Sequence, residues 1–210
     1  TLQVTDASEA SSTSAPISVN VGGNTPPNPV IDSPSSTLQW SVGDTVNFSG
    51  YATDAQDGTL TGSALVWTLI LHHCPSECHT HIIGTVGMGT TGSFQAPDHS
   101  YPSYLELQLT ATDSGGLSAT TSVRLDPRTV VLTFATNPGG LSLTVNGASQ
   151  KVSFSRTVIV GSQNSLSAPL QQQKGKQTYA FDSWSDGGRA DHLIVAPSTA
   201  TTYTARYRRP

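Results

Sequence analysis

The fold is decided by LQLTATDSGGLSATTSVRL, residues 107–125. Apolar and polar residues alternate on both sides of an Asp-Ser-Gly-Gly turn, and this period of two is typical of a half-buried β-hairpin. Residues 1–21, TLQVTDASEASSTSAPISVNV, repeat the plan of an alternating strand, a Thr-Asp turn and a Ser/Thr-rich strand. The repeat predicts that the chain begins with the last hairpin of a truncated β-domain and that residues 107–125 close a complete one.

The composition of the whole chain also predicts β-structure. Only 11% of the 210 residues are charged, and strong helix formers are scarce, with three Glu and three Lys. Short alternating runs separated by Gly, Pro, Asn and Asp indicate an all-β protein made of tandem antiparallel β-sandwiches. The net charge of −4, without a basic block, disfavours nucleic-acid partners. No apolar run reaches the length of a membrane span.

Turn and linker signals divide the chain into three parts. These are a terminal hairpin with the start of a linker (1–23), a sandwich of about seven strands (24–127) and a smaller C-terminal sandwich (128–210). The Gly/Pro-rich residues 22–30 predict an extended linker. The joint Asp126-Pro127-Arg128-Thr129 is so short that we expect it to hold the two sandwiches in a preferred orientation.

Residues 24–127 resemble the PKD-type sandwich, a member of the immunoglobulin-like β-sandwiches. The features that carry the resemblance are VGDTVNFSG (42–50), YATDAQDGTL (51–60), Trp67 in its strand and LTATDSGGLSATTSV (109–123). After Trp67 the sequence departs from the Asp-Phe-Gly-Asp-Gly turn usual in that family and continues into a His/Cys hairpin.

Residues 130–207 are similar to the small β-repeats appended to secreted bacterial proteins, through NPGGL (137–141), FDSWSDGG (181–188) and TTYTARY (201–207). Together the two parts resemble the C-terminal tails of secreted actinobacterial sugar-active enzymes, such as glucose/sorbosone-type dehydrogenases. The resemblance implies a secreted, non-catalytic accessory or spacer region. Its implied partners are the upstream catalytic domain of the same polypeptide and a polysaccharide or cell-wall glycan, bound weakly.

Motifs for catalysis are missing from the sequence. It contains no nucleophile elbow, no paired-carboxylate motif, no phosphate loop and no dinucleotide fingerprint. We therefore expect the chain by itself not to be an enzyme. Two further functions remain open, a calcium-stiffened structural or adhesive surface module and a transition-metal-binding domain.

Cys74 and Cys78 are the only cysteines, and they enclose Pro-Ser-Glu between the predicted strands 65–73 and 79–86. We predict a disulfide across the neck of this hairpin, which suits a protein of an oxidising compartment. Free or metal-bound thiols are the alternative, although two cysteines alone cannot fill a tetrahedral metal site.

The histidines of this hairpin form a candidate metal site. If Cys74 faces Cys78, His73 faces His79 and Leu71 faces His81. His73, His79 and His81 then share one face, while His72 points to the other. His-x-His on a strand suits zinc or copper, and His99 is a candidate further ligand from another loop. The alternative is a stiff hairpin tip that presents polar rings to a sugar or to the neighbouring domain.

Three aspartates on two turns form a candidate calcium site. Asp54, Asp57 and Asp113 lie in D-x-x-D-G and T-D-x-x-G turns, and such turns often meet at one end of a sandwich. Calcium takes six to eight oxygen ligands, which carboxylates and loop carbonyls supply. The alternative is that each Asp only stabilises its own turn.

Aromatic residues divide into core and surface candidates. We assign Trp40, Trp67 and Trp184 to the core. Tyr101 and Tyr104 flank Pro-Ser in a loop near the histidines, where exposed rings can stack on the face of a sugar. The alternative is that both tyrosines anchor this loop.

Overall fold

The computed structural model describes residues 3–15, 23–151 and 153–210. Its regular structure is β-strand throughout, apart from a 3₁₀ turn at Gly62–Ala64. The predicted all-β fold class is therefore confirmed. None of the described residues forms a helix that is long and apolar enough to cross a membrane.

The described residues form twenty strands. They are β1 (Gln3–Thr5), β2 (Ser11–Thr13), β3 (Asn28–Ser33), β4 (Gln39–Trp40), β5 (Thr45–Asp54), β6 (Gly58–Leu60), β7 (Leu65–His73), β8 (His79–Met88), β9 (Thr91–Gln95), β10 (Ser103–Thr112), β11 (Ser118–Pro127), β12 (Thr129–Asn137), β13 (Ser142–Val145), β14 (Ala148–Lys151), β15 (Phe154–Ile159), β16 (Gln163–Ser167), β17 (Gln171–Lys174), β18 (Gln177–Trp184), β19 (Asp191–Val195) and β20 (Thr201–Arg208).

The leading segment forms the predicted hairpin, in which β1 pairs with β2. The Asp6 carboxylate accepts hydrogen bonds from the N–H groups of Ser8 and Ala10. Asp113 accepts the N–H of Leu117 in the same i to i+4 relation, so the two turns share their chemistry as well as their sequence pattern. The predicted repeat also covers residues 1–2 and 16–21, which lie outside the described residues.

The first sandwich packs two sheets face to face. One has the strand order β4-β11-β10-β7-β8, and the other places β3 on one side of β5 with β6 and β9 on its other side. Period-two burial on β5, β7 and β10 provides the core between them. Trp40 and Trp67 are both fully buried in this core, as predicted.

The Gly/Pro-rich segment is not a linker along its whole length. Residue 22 lies outside the described residues, and Asn28–Ser33 forms β3. Pro29 is tolerated because β3 pairs only with β5 and is therefore an edge strand, where a missing backbone donor breaks no ladder. The preceding residues are tied to the sandwich by hydrogen bonds from Asn24 to Asp113 and from Thr25 to Gln56.

The second sandwich packs the sheet β15-β12-β20-β18-β17 against the sheet β14-β13-β16-β19. Trp184 is buried in its core together with Phe134, as predicted for the tryptophan. The antiparallel plan has two exceptions, because β12 pairs with β20 and β4 with β11 in parallel. Each parallel pair joins strands that are distant in sequence; β4 lies at the edge of its sheet, while β12 and β20 lie inside theirs.

Direct contacts hold the two sandwiches together. Ile159 of β15 is fully buried in the hydrophobic cluster of the first sandwich, and burying such a side chain stabilises by roughly 1.5–3 kcal/mol. The Val42 N–H donates to the Val160 carbonyl over 3.0 Å. The Arg128 guanidinium lies 2.9 Å from the Asp44 carboxylate. The joint is thus packed and hydrogen-bonded rather than a free tether.

Gly161 is the tightest point of this junction. Its φ is +83°, and a Cβ atom there would lie 2.9 Å from the Val42 carbonyl oxygen. We expect Gly161→Ala to lower the free energy of unfolding by about 2–4 kcal/mol, because it adds a backbone clash to the cost of a left-handed conformation. Thermal unfolding measures the change.

Gly187→Ala is the matched control, since Gly187 has a φ of +80° and a Cβ atom added there would meet nothing within 4 Å. It should show only the conformational cost, about 1–2 kcal/mol. Equal losses for the two variants would show that contact with Val42 does not constrain the junction.

Candidate metal centre

The alternation of β7 carries His73 to the end of the core face. Every second side chain of β7 before it is buried, namely Leu65, Trp67, Leu69 and Leu71. His73 is the next residue on that face and is only half-buried. The row of apolar side chains on this face of β7 therefore ends in the His73 imidazole, at one end of the first sandwich.

The partner strand β8 brings two further imidazoles to the same face. His73 pairs with His79, and Leu71 pairs with His81. This is the register predicted from the symmetric placement of the cysteines. Shifts in the pairing occur between Trp67 and Thr68 and again before Ile70, so they leave the histidine end of the hairpin in register.

The three imidazoles form a compact group. Ligand nitrogens of His73, His79 and His81 all lie within 4.8 Å of one another. The ring centroids of His73 and His79 are 5.0 Å apart, and those of His79 and His81 are 4.9 Å apart. Nitrogens bound to one tetrahedral zinc ion would be about 3.3 Å apart. Small side-chain rotations would close this difference, because His79 and His81 are exposed.

His99 joins this group from the loop that connects β9 to β10. Its ring centroid lies 4.5 Å from that of His73 and 5.2 Å from that of His81. Its Nδ1 lies 3.1 Å from the Ser100 carbonyl oxygen. A carbonyl only accepts, so Nδ1 carries the proton and Nε2 of the neutral ring keeps a lone pair for a ligand.

Electrostatics favour the neutral form of the central imidazole. Partial burial lowers the pKa of His73 from its ordinary value of 6.5, and the nearby His99, His79 and His81 lower it further by charge repulsion. Its Nε2 also lies 3.2 Å from the Ser100 hydroxyl. Because only neutral imidazole binds a metal, this environment keeps His73 competent at neutral pH.

His72 points to the opposite face of the sheet, as predicted. Its Nε2 lies 2.7 Å from Glu106 Oε2, and its ring stacks on Tyr104. The pKa of Glu106 is lowered, chiefly by the side-chain hydrogen bond from Gln108 and then by Ser122 and His72, against the raising effect of burial. His72 therefore belongs to a polar network on the outer face and not to the histidine cluster.

Cys74 and Cys78 form the predicted disulfide. It closes the chain directly beyond the pair His73 and His79, and the Cys74 N–H donates to the Pro102 carbonyl. A loop this short gives little entropic stabilisation, about 1–2 kcal/mol. The bond therefore acts locally and restricts the tip that carries the two histidines.

The two acidic turns meet at the other end of the sandwich. The N–H and the hydroxyl of Ser114 donate to the Asp57 carboxylate, and these bonds lower the pKa of Asp57. Asp54 accepts the N–H groups of Gln56 and Asp57 through Oδ1. The predicted convergence of the turns is thus present in the structure.

Most carboxylate oxygens of the three aspartates, however, already accept hydrogen bonds from the protein. Asp113 accepts from Leu117 and Asn24, and only the buried Asp54 Oδ2 has no hydrogen-bond partner among the described residues. Within the described ranges, the histidine cluster is the one group of three or more His, Cys, Asp or Glu residues spaced for a metal ion. A calcium ion here would need additional backbone oxygens, and calcium binding stays a prediction.

The two tyrosines of the loop differ in availability. Tyr104 stacks on His72 with centroids 4.5 Å apart, and the Arg124 guanidinium lies 3.8 Å from its ring centre. These contacts hold the Tyr104 ring on strand β10 rather than in the loop, and sugar stacking by Tyr104 stays a prediction. Tyr101 is 43% exposed and is available to a ligand.

Arg156 is a residue of interest that the sequence motifs do not single out. It lies between Phe154 and Val158 on the core-facing side of β15, yet it is charged. Its Nε is buried and has no hydrogen-bond partner among the described residues. A charged residue at a core-facing position of an alternating strand is the signal that would have identified it.

Two comparisons with known proteins found no match. No protein-family model matches the chain, and no curated protein matches it. The site is therefore interpreted from its own residues.

The lowered pKa of His73 predicts how the metal-free protein responds to acid. Below pH 6.5 the unfolded chain takes up a proton that the folded chain resists, so protonation favours unfolding. The stability contributed by His73 is complete above pH 6.5 and is lost as the pH falls below it. An NMR titration of the imidazole signals should give His73 a lower midpoint than a free imidazole.

The double variant His79→Ala, His81→Ala tests whether repulsion by the neighbouring histidines lowers the pKa of His73. It removes two of the neighbouring charges, so the midpoint of His73 should move back towards 6.5. A midpoint at or above 6.5 in the native chain would contradict the repulsive cluster.

Proposed function

We propose that the chain is a metal-binding module that holds one zinc or copper ion at the β7–β8 hairpin. The observation that carries the proposal is the grouping of ligand nitrogens from His73, His79 and His81 within 4.8 Å of one another. Imidazole is a common ligand for both metals, and neutral rings at this spacing need little movement to bind one ion.

The elements around the cluster support a preformed site. His73 is fixed by a strand paired on both sides, with β8 and with β10. The disulfide restricts the turn directly beyond it. A site supported by paired strands loses less conformational entropy on binding than one carried by free loops.

His99 is the candidate for the fourth position, although it is not among the histidines whose ligand nitrogens lie within 4.8 Å of one another. Its Nδ1–H is held by the Ser100 carbonyl, which leaves Nε2 as the nitrogen for a metal. Four imidazoles would complete a tetrahedral zinc site, while three with an open position would leave room for water or an exogenous ligand. The set consists of imidazoles without a carboxylate, which favours zinc or copper over calcium or magnesium.

Thermal unfolding with added metal tests the proposal. Zinc at about 100 times its Kd would stabilise the folded state by about 2.7 kcal/mol, which raises the Tm by about 5–10 °C in a chain of this size. The exposed His79 and His81 can be replaced without disturbing the core, so His79→Ala, His81→Ala should remove the shift.

His72→Gln is the matched control, because His72 precedes His73 but lies on the other face. It should keep the full metal-induced shift. No shift in the native chain with either metal, or the same shift in the double variant, would exclude the cluster as the binding site.

A second candidate function is that of a non-catalytic spacer in a secreted bacterial carbohydrate-active enzyme. The observation that favours it is the junction, where Ile159 is buried in the core of the first sandwich and Val42 is hydrogen-bonded to Val160. A packed junction fixes the distance between whatever is attached at its two ends, which a flexible tether does not. The disulfide is consistent with an extracellular location.

Small-angle X-ray scattering tests the spacer function. Two sandwiches with one fixed junction should scatter as a single elongated particle, and the profile should not change with ionic strength. A compact envelope, or a profile that needs a broad mixture of orientations, would contradict a spacer and would leave the metal proposal unaffected.

A further inference from the structure

A cleft lies between the two sandwiches, beside the histidine cluster, and shares His99 with it. Its volume is about 610 Å³, which is within the usual range for a small-ligand site. The first sandwich contributes the loop of residues 98–101, and the second contributes residues 156–158, residues 162–164 and Asn146. The Gln163 N–H donates to Asp98 Oδ2 over 2.9 Å and joins the two walls.

Arg156 is the one cationic residue that lines the cleft, and its guanidinium has no ion-pair partner among the described residues. Within the described residues, the Arg156 side chain has no hydrogen bond and no ion pair. Its guanidinium faces the Phe154 ring, whose centroid lies 5.7 Å from Cζ. A guanidinium that is partly removed from water and lacks a partner is unfavourable, and a ligand carboxylate would compensate it through two parallel hydrogen bonds.

Several polar groups of the cleft are already committed. Asn146 donates to Asn164 and accepts from the Ser165 N–H, and Asn164 donates to Ser162. These bonds shape one part of the wall and leave little there for a ligand. The groups that remain available include the guanidinium of Arg156, the second carboxylate oxygen of Asp98, the ring and hydroxyl of Tyr101, and the side chains of Thr157 and Gln163.

Together, these available groups suit a ligand of one chemical class. Arg156 selects a carboxylate, and Asp98, itself an anion, accepts only from donors such as hydroxyl groups. The exposed face of Tyr101 suits the C–H face of a pyranose ring. A ligand with one carboxylate, several hydroxyls and a flat apolar face is a uronic acid. We infer that the cleft between the two sandwiches binds a uronate residue of an acidic polysaccharide, with Arg156 on its carboxylate.

The inference rests on the second candidate function only in that it gives the polysaccharide partner expected from the sequence a binding place and a chemical class. It does not depend on the metal, although His99 lines the cleft and also contacts His73. Titrations are therefore made on the metal-free native chain, so that a failure of metal binding and a failure of uronate binding are seen separately.

The test is an NMR titration of the ¹⁵N-labelled chain with D-glucuronate and, in parallel, with D-glucose, which lacks the carboxylate. Glucuronate should shift the Nε–H signal of Arg156 and the amide signal of Gln163, with saturation near a Kd of about 1 mM. Glucose should produce no saturable shift. Equal shifts with both sugars, or no shift with glucuronate up to about 20 mM, would overturn the inference.

Two variants with matched controls locate the site. Arg156→Gln should weaken glucuronate binding by at least about tenfold, because it removes a charge-assisted pair. Arg206→Gln, at an exposed arginine of the same sandwich, should leave binding unchanged. Unchanged affinity in a folded Arg156→Gln chain would overturn the assignment.

Tyr101→Ala provides an independent check, since an exposed loop residue can be replaced even if Arg156→Gln fails to fold. It should weaken glucuronate binding, while Tyr51→Ala, at a tyrosine of similar exposure, should not. Equal affinities of the two tyrosine variants would exclude the cleft.

Discussion

The register of β7 is the constraint on which the rest of the structure depends. β7 is hydrogen-bonded to β10 on one side and to β8 on the other, and its alternate side chains form the centre of the core. A shift by one residue would move Leu65, Trp67 and two further leucines to the outer face. Each would lose roughly 1.5–3 kcal/mol of burial, so no alternative register competes with the observed one.

The histidine cluster follows from this constraint. Its imidazoles repel one another when protonated, and His73 is partly removed from water, so these two effects oppose the formation of the cluster. The strand ladder holds the rings together, and the short disulfide loop adds only a local restriction. A group of like residues that the fold holds together at some cost is a stronger indication of function than one that stabilises the fold.

The sequence was sufficient to predict strands, pairing and burial where one periodic pattern dominated. The bounds of β7, the pairing of His73 with His79 and the burial of the three tryptophans all follow from alternation and from the symmetric cysteines. β14 and β17 could not be predicted, because their residues are polar and largely exposed and show no alternation. The residues of β3 read as a linker in the sequence, because prolines disfavour central strands although edge strands accept them.

Side-chain roles that depend on cross-strand neighbours could not be predicted from the sequence. Tyr104 resembles a surface aromatic until the register places His72 beside it on β7 and Arg124 near it on β11. Alternation along β15 marks Arg156 as an unusual charged residue, but its place in the cleft depends on the second sandwich meeting the loop of residues 98–101. Such features require knowledge of which distant residues meet.

His99 connects the two proposed sites, and linkage fixes the sign of their interaction. It contacts His73 in the cluster and lines the cleft that holds Arg156. A cation bound at the cluster adds positive charge beside the cleft, so it favours an anion there, and by reciprocity the anion favours the metal. The effect weakens with salt, because dissolved ions screen the interaction between solvent-exposed charges. The three elements that meet at this end of the first sandwich, namely the hairpin tip, the β9–β10 loop and the second sandwich, therefore act on a common set of charges rather than as separate surfaces.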